Sequence, residues 1–214
     1  MKRLILMGAM AVALAALPAK ANAAIVIDFG TGLASAGGTF TLTAGGNATG
    51  ANIPIGVMTT DLNGVTNSYC TTGTGGNNGI CGVTSAVLNF NTTTNTIQII
   101  GGIPSLSIPN GTVLLTGSFV SFVANANGLT SAIGPDTKSS LLLTALGLPL
   151  NTQFAYFGFS LTSSCTSGTT PCTSWNVIST DIRNTAVPEP GTMVLLGGGL
   201  LGLATLARRR MRKA

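Results

Sequence analysis

Between residues 25 and 182 the chain alternates short runs rich in Val, Ile, Thr and Phe with clusters of Gly, Asn and Ser. The runs fall at 25–29, 39–43, 53–58, 83–90, 96–100, 112–123, 154–161 and 175–182, and β-branched and aromatic residues in such lengths predict strands. In Val87-Leu88-Asn89-Phe90 and Ile97-Gln98-Ile99 polar residues interrupt apolar ones at period two, with the turn-prone stretch 91–95 between them, which is a hairpin pattern. Along 112–123, Leu114, Thr116, Ser118, Val120 and Phe122 share one face and Leu115, Gly117, Phe119, Ser121 and Val123 the other, so both faces are expected to be partly buried. One segment departs from this pattern. Asp136 is placed to cap a turn through Leu141, Leu142, Leu143, Ala145 and Leu146, with Gly147 as C-cap and Pro149 beyond, which predicts a short helix at 137–146. No repeat of fixed period is visible, which disfavours a solenoid or a repeat-built amyloid subunit. So many short strands around a shared core predict an all-β fold, an antiparallel β-sandwich or jelly-roll-like domain with one short helix.

The two ends read differently from the middle. Lys2-Arg3, the apolar run 4–17 and Ala21-Asn22-Ala23 have the charged, apolar and A-x-A parts of a secretory signal peptide, with cleavage between Ala23 and Ala24. At 14 residues the run is shorter than the roughly 20 that span a bilayer, which argues against a retained anchor. At the other end, Val187-Pro188-Glu189-Pro190-Gly191 leads into the apolar stretch 192–207 and then Arg208, Arg209, Arg210, Arg212 and Lys213. Sixteen helical residues reach about 24 Å, a marginal transmembrane helix against a hydrocarbon core of about 30 Å. Cations stay cytoplasmic, so Pro188-Glu189-Pro190 and everything before it lie on the exported side, in agreement with the signal peptide. The Gly198–Gly202 spacing matches a helix-dimer face, but a Gly-rich helix produces it by chance.

Charge and composition narrow the chemistry. The formal charge is +5, yet eight of the ten Lys and Arg residues sit in the two end segments. The middle holds Lys138 and Arg183 against Asp28, Asp61, Asp136 and Asp181, a net −2, so no basic patch exists to neutralise phosphates and a nucleic-acid partner is excluded. Charged residues make up 7% of the chain against about a quarter in soluble globular proteins, and there is no His to act as general base or metal ligand. No cofactor is implied. Of the four aspartates none lies in a catalytic motif, and no base is placed to activate one of the many Ser and Thr hydroxyls, so an enzyme is not expected. Lys138 beside Asp136 and Ser139 reads as helix capping, and Asp61-Leu62-Asn63-Gly64 reads as a turn with too few oxygen ligands for an EF-type calcium loop.

Cys70, Cys81, Cys165 and Cys172 all fall in the exported part, where an even number predicts disulfides. Three pairings are open; the local ones, Cys70 with Cys81 and Cys165 with Cys172, each close one loop and are each worth roughly 2.5–3 kcal/mol. A four-thiolate zinc site would need shorter C-x(2–4)-C spacings. Trp175 is the candidate carbohydrate contact, since sugar rings stack on exposed aromatic faces; the competing expectation is that Trp175, Tyr156 and Phe154 are core residues of adjoining strands. Asn47, Asn91 and Asn110 begin N-x-[ST] sequons that Asn- and Thr-rich composition produces on its own.

The Pro-Glu-Pro motif, the Gly-containing apolar stretch and the terminal Arg cluster together resemble a PEP-CTERM sorting signal, and the chain is identified as a PEP-CTERM sorting domain-containing protein, an exosortase substrate. The division is then 1–23 signal peptide, 24–186 exported β-rich domain and 187–214 sorting signal. The resemblance implies processing by exosortase near Val187, Pro188, Glu189 and Pro190, an inner-membrane precursor with a periplasmic domain, and a mature protein at the cell surface or outside. The function it implies is structural: a non-catalytic surface or matrix protein associated with biofilm and exopolysaccharide. A polysaccharide-binding module and a hydrolase are the alternatives.

Overall fold

In the computed structural model the described residues are 25–32, 37–43, 45–62, 64–75, 84–124, 129–166 and 172–185, with the helical Gly199 and Gly202. They form β1 (Val26–Gly30), β2 (Thr39–Leu42), β3 (Ala48–Ile55), β4 (Val57–Leu62), β5 (Val65–Cys70), β6 (Ala86–Asn91), β7 (Thr96–Ile103), β8 (Ile108–Gly117), β9 (Ser121–Ala124), β10 (Leu129–Gly134), β11 (Asp136–Lys138), the helix α1 (Ser140–Ala145), β12 (Phe157–Cys165) and β13 (Ser174–Thr185). The hydrogen-bonded order is β11-β8-β7-β6-β3-β2-β13-β1-β4-β5, and β12, β10 and β9 branch from β13.

This path folds back on itself. β11 and β13 are six steps apart in it, about 29 Å on a flat sheet at the usual spacing of about 4.8 Å. Yet Lys138 of β11 hydrogen-bonds Asn184 of β13 at 2.7 Å, and Phe90 of β6 packs on Phe159 of β12 with ring centroids 5.4 Å apart. The strands therefore stack in two layers over one core, the expected antiparallel sandwich.

β13 is the strand that joins the layers. One side pairs with β12; on the other, β2 takes Ser174–Asn176 and β1 takes Asp181–Thr185. Between these halves the β12 register shifts from Ser163↔Val177 to Thr162↔Ser179, leaving Ile178 as an extra residue. This bulge changes the phase of the strand: Trp175 and Val177 point inward before it, and Thr180, Ile182 and Asn184 after it. A second crossing runs from β3 through Gly56 into β4. A third leaves β5, where the buried Thr71 hydroxyl donates to the Ile55 carbonyl and accepts from the Ala86 amide at 3.2 Å. Thr72 then bridges Gly102 of β7, and a Cβ on the neighbouring Gly101 would come within 2.3 Å of the Ala86 Cβ, so this close backbone crossing requires glycine.

The core is an aromatic cluster inside an aliphatic shell. Phe90 contacts Phe40, Phe119, Phe122 and Phe159 at centroid distances of 5.4–6.2 Å, and Trp175 lies 5.0 Å from Phe40. Such offset and edge-on pairs each add about 0.5–1.5 kcal/mol to the area they bury.

The β6–β7 hairpin forms as its alternation predicts, pairing Asn89 with Gln98, and the Asn91 side chain accepts from the Thr93 and Thr94 amides to make the turn. The run 53–58 is divided by Gly56, and 112–123 is divided at 118–120, where the chain changes neighbour from β7 to β10. Leu114 and Leu115 are both buried, so both faces of β8 are covered there. β5, β10 and β11 escape the pattern reading: β5 is an edge strand exposed over its first four residues, so it carries no apolar period.

The helix is shorter than predicted. Asp136 does not cap it, because Asp136–Lys138 is held as a strand against β8. Ser139 is the cap instead, its Oγ accepting from the Leu142 amide at 3.1 Å. Gly147, at φ +68°, ends the helix as expected: its amide donates to the Thr144 carbonyl and that of Leu148 to the Leu143 carbonyl. Among the described residues no helix is long and apolar enough to cross a membrane.

Candidate functional site

The last residues of β13 alternate between the outer face of the sandwich and its interior, and charged side chains gather on both sides of them: Asp28, Asp181 and Arg183 outside, Asp136 and Lys138 inside. On the outer face, Arg183 lies opposite Asp28 of β1, and Asp181 is two pairs further on, opposite Gly30. On the other side of β13, Gly158 and Ser160 of β12 flank the same two residues. The strand pairing thus brings Asp28 to Asp181 and Arg183, more than 150 residues further along the chain. Burial, together with a hydrogen bond to Asp181 and repulsion from its charge, pushes the Asp28 carboxyl up to about 7, while Arg183 pulls it down. Near neutral pH the Asp28 carboxyl is therefore only partly ionised, with Arg183 opposite it across the strand pair.

A shallow depression of about 410 Å³ runs from Asp181 and Arg183 across β12 and β10 to β9, lined also by Gly158, Ser160, Ser131, Ile133 and Val123. Asp61 and Asp136 do not join it: Asp61 sits in β4 opposite Val26 and Thr66, and Asp136 points inward.

Inside, Asn184 meets Asp136 and Lys138. The Lys138 side chain is fully buried, forms an ion pair with Asp136, donates to Asn184 Oδ1 at 2.7 Å and lies 4.8 Å from the Phe154 ring centroid. Asn184 Nδ2 donates to Asp136 Oδ1 at 2.9 Å and to the Ala155 carbonyl at 3.1 Å. Burial pushes the Lys138 amine down, against the attraction of Asp136, and pushes the Asp136 carboxyl up, against the attraction of Lys138. Lys138 is therefore no helix cap. It ties β11 to the end of β13 across the two layers.

Trp175 is 1% exposed and stacked on Phe40, so it is a core residue with no face for a sugar ring, and the carbohydrate contact assigned to it is withdrawn. Its burial follows from its place before the Ile178 bulge, where β13 turns odd-numbered side chains inward. Tyr156, expected in the core, is 55% exposed. Cys165 and Cys172 are bonded as predicted, Cα atoms 6.1 Å apart, closing the β12–β13 connection. Cys70 is also disulfide-bonded, and Cys81, its expected partner, lies outside the described residues. Also outside them are Ala21, Ala23 and Ala24 of the signal cleavage site, Val187, Pro188, Glu189 and Pro190 of the processing motif, and Arg208, Arg209, Arg210, Arg212 and Lys213. Among the described residues no group of three or more Cys, Asp or Glu side chains could hold a metal ion. The Asp28, Asp181 and Arg183 group has no signature in the sequence, since nothing local links Asp28 to a strand that ends the domain. The only hint of the inner cluster is that Lys138 is the domain's single lysine.

Residues 186–212 match the family described as the PEP-CTERM protein-sorting motif, starting at the first residue after β13. No curated protein and no solved structure is found to match the chain. The chain carries a PEP-CTERM sorting motif, and with it the signal of an exported protein whose precursor is membrane-anchored and processed by exosortase.

Proposed function

We propose that residues 24–186 are a non-catalytic structural protein of the cell surface or extracellular matrix, associated with exopolysaccharide in biofilm. In this reading signal peptidase removes 1–23, the stretch 192–207 holds the precursor in the inner membrane, and exosortase cleaves near Val187, Pro188, Glu189 and Pro190. The observation that carries it is the sorting motif at 186–212, joined directly to the last strand of a disulfide-bonded sandwich. The prolines support the same reading, because each lacks an N–H and restricts the residue before it, keeping the stretch extended for a processing enzyme.

The polysaccharide-binding alternative loses Trp175 but keeps one supporting observation. On the outer face of β6, β7 and β8, Asn89, Gln98 and Thr116 stand side by side along a shallow depression of about 360 Å³, an uncharged row of donors and acceptors suited to sugar hydroxyls.

Intact-mass analysis of protein from the native host tests the main reading. The mature species is expected to lack both ends, and with them eight of the ten cations, and Glu189→Ala or replacement of the Arg run should leave an unprocessed, membrane-bound precursor. A mature species that retains residues 193–214 would overturn the exosortase assignment.

A further inference from the structure

Both processed segments leave the sandwich at one place. β1 and β13 are antiparallel neighbours with Val26 opposite Thr185, so the first residue of the first strand and the residue that precedes the sorting motif lie side by side. Two further elements reach this end. Asp61 pairs with Val26, which puts the β4–β5 hairpin and its Leu62↔Val65 closing pair next to the chain ends. On the other side of β13 the Ala155 amide donates to the Thr185 carbonyl at 2.8 Å, which puts Tyr156 there too. Val65 is 59% exposed and Tyr156 55%.

The lengths of chain beyond these strands orient the domain. From Thr185 to the start of the apolar stretch at residue 192 is seven residues, at most about 25 Å when fully extended. From Val26 back to the end of the N-terminal apolar run at residue 17 is nine residues, at most about 32 Å. Tethers this short, attached at one end of the fold, keep that end toward the bilayer and the opposite end away from it. Tyr is among the residues favoured at the membrane interface, where its ring sits among headgroups with its hydroxyl in water.

We propose that the end of the sandwich formed by Val26, Thr185, Val65 and Tyr156 is a membrane-apposed surface, resting on phospholipid headgroups while the precursor is anchored. The proposal rests on the reading of residues 192–207 as a membrane anchor. Seating the folded domain on the bilayer through these residues sets the height at which the processing motif meets a membrane-embedded protease.

The full, uncleaved chain reconstituted in vesicles of zwitterionic phospholipid with brominated acyl chains tests this. Tyr156→Trp is compared with Ile178→Trp, whose site is seven residues back from Thr185 along β13, about 23 Å from that end at the usual rise, and 47% exposed. Buried Trp175 gives both variants the same background. The added emission of Tyr156→Trp should be largely lost to bromine quenching while that of Ile178→Trp is kept, and Tyr156→Ser with Val65→Ser should accelerate proteolysis at the domain end without releasing the chain from the vesicles. Flotation of the vesicles reports on the anchor separately. A chain that floats with both added tryptophans unquenched, or equally quenched, overturns the membrane-apposed surface alone; a chain that fails to float overturns the anchor and the proposal with it.

Discussion

Asp181 and Arg183 on the outer face of β13 and Asn184 on its inner face belong to the same four-residue stretch, and each face gathers carboxyl and cationic groups from distant strands. The two outcomes differ because of water. Outside, Asp28, Asp181 and Arg183 are partly solvated, so two carboxyls can sit together, the Asp28 carboxyl being raised by burial and by its neighbour Asp181. Inside, Asp136 and Lys138 have side chains wholly removed from solvent and persist only because each is the other's counter-charge and Asn184 satisfies both. A charge at the surface can be out of balance, whereas one in the core must be matched atom by atom.

The largest effect should come from breaking the inner cluster. Lys138→Met leaves the Asp136 carboxyl buried without its counter-charge and should lower unfolding free energy by about 3–5 kcal/mol in chemical denaturation. Asp136→Leu combined with Lys138→Met should regain part of that loss, because no unpaired charge stays buried, while the buried Asn184, whose Oδ1 loses its donor, keeps about 1–3 kcal/mol of it. A double variant as unstable as the single one would show that the ion pair is not what sets the cost.

The outer group should respond to pH instead. The Asp28 carboxyl is raised in the fold, so the folded chain binds its proton more tightly than the unfolded chain, and stability falls as pH rises from about 4 through 7. Asp28→Asn keeps a hydrogen-bond donor toward Asp181 without the charge. It should stabilise the protein by roughly 1–2 kcal/mol at pH 8, after allowing for solvent screening of a half-buried group, and by nothing at pH 4. Thermal melts at the two pH values check the sign, and a loss of stability at pH 8 would refute it. The smallest effect belongs to Arg183→Gln: it removes the one charge that lowers the Asp28 carboxyl, so the Asp28 titration followed by carbon NMR should move upward while stability changes by less than about 1 kcal/mol.

The inner cluster also shows where sequence reading stops. Asp136, Lys138 and Ser139 stand together ahead of an apolar run, and local rules assign all three to a helix cap. Only Ser139 takes that role, because Asp136 and Lys138 are claimed by β8 and by Asn184, 46 residues beyond Lys138. Trp175 is equally undecidable from its neighbours, since Ser174 and Asn176 alternate with it whichever face is inward. The bulge at Ile178 decides it.

The sequence by itself determined what depends on contiguous residues: the β6–β7 hairpin, whose alternation and Asn91 turn lie within a dozen positions; the Gly147 helix stop; the Cys165–Cys172 pair; and the sorting motif, which is a string of residues read as such. Tertiary structure alone decided which distant strands adjoin, and so set Asp28 beside Asp181, Lys138 beneath Asn184, Trp175 inside, and both chain ends at one edge. The physical reason is that a local pattern specifies which face of a strand seeks the core, while the partner across the core is selected by the whole set of side chains that must be buried together.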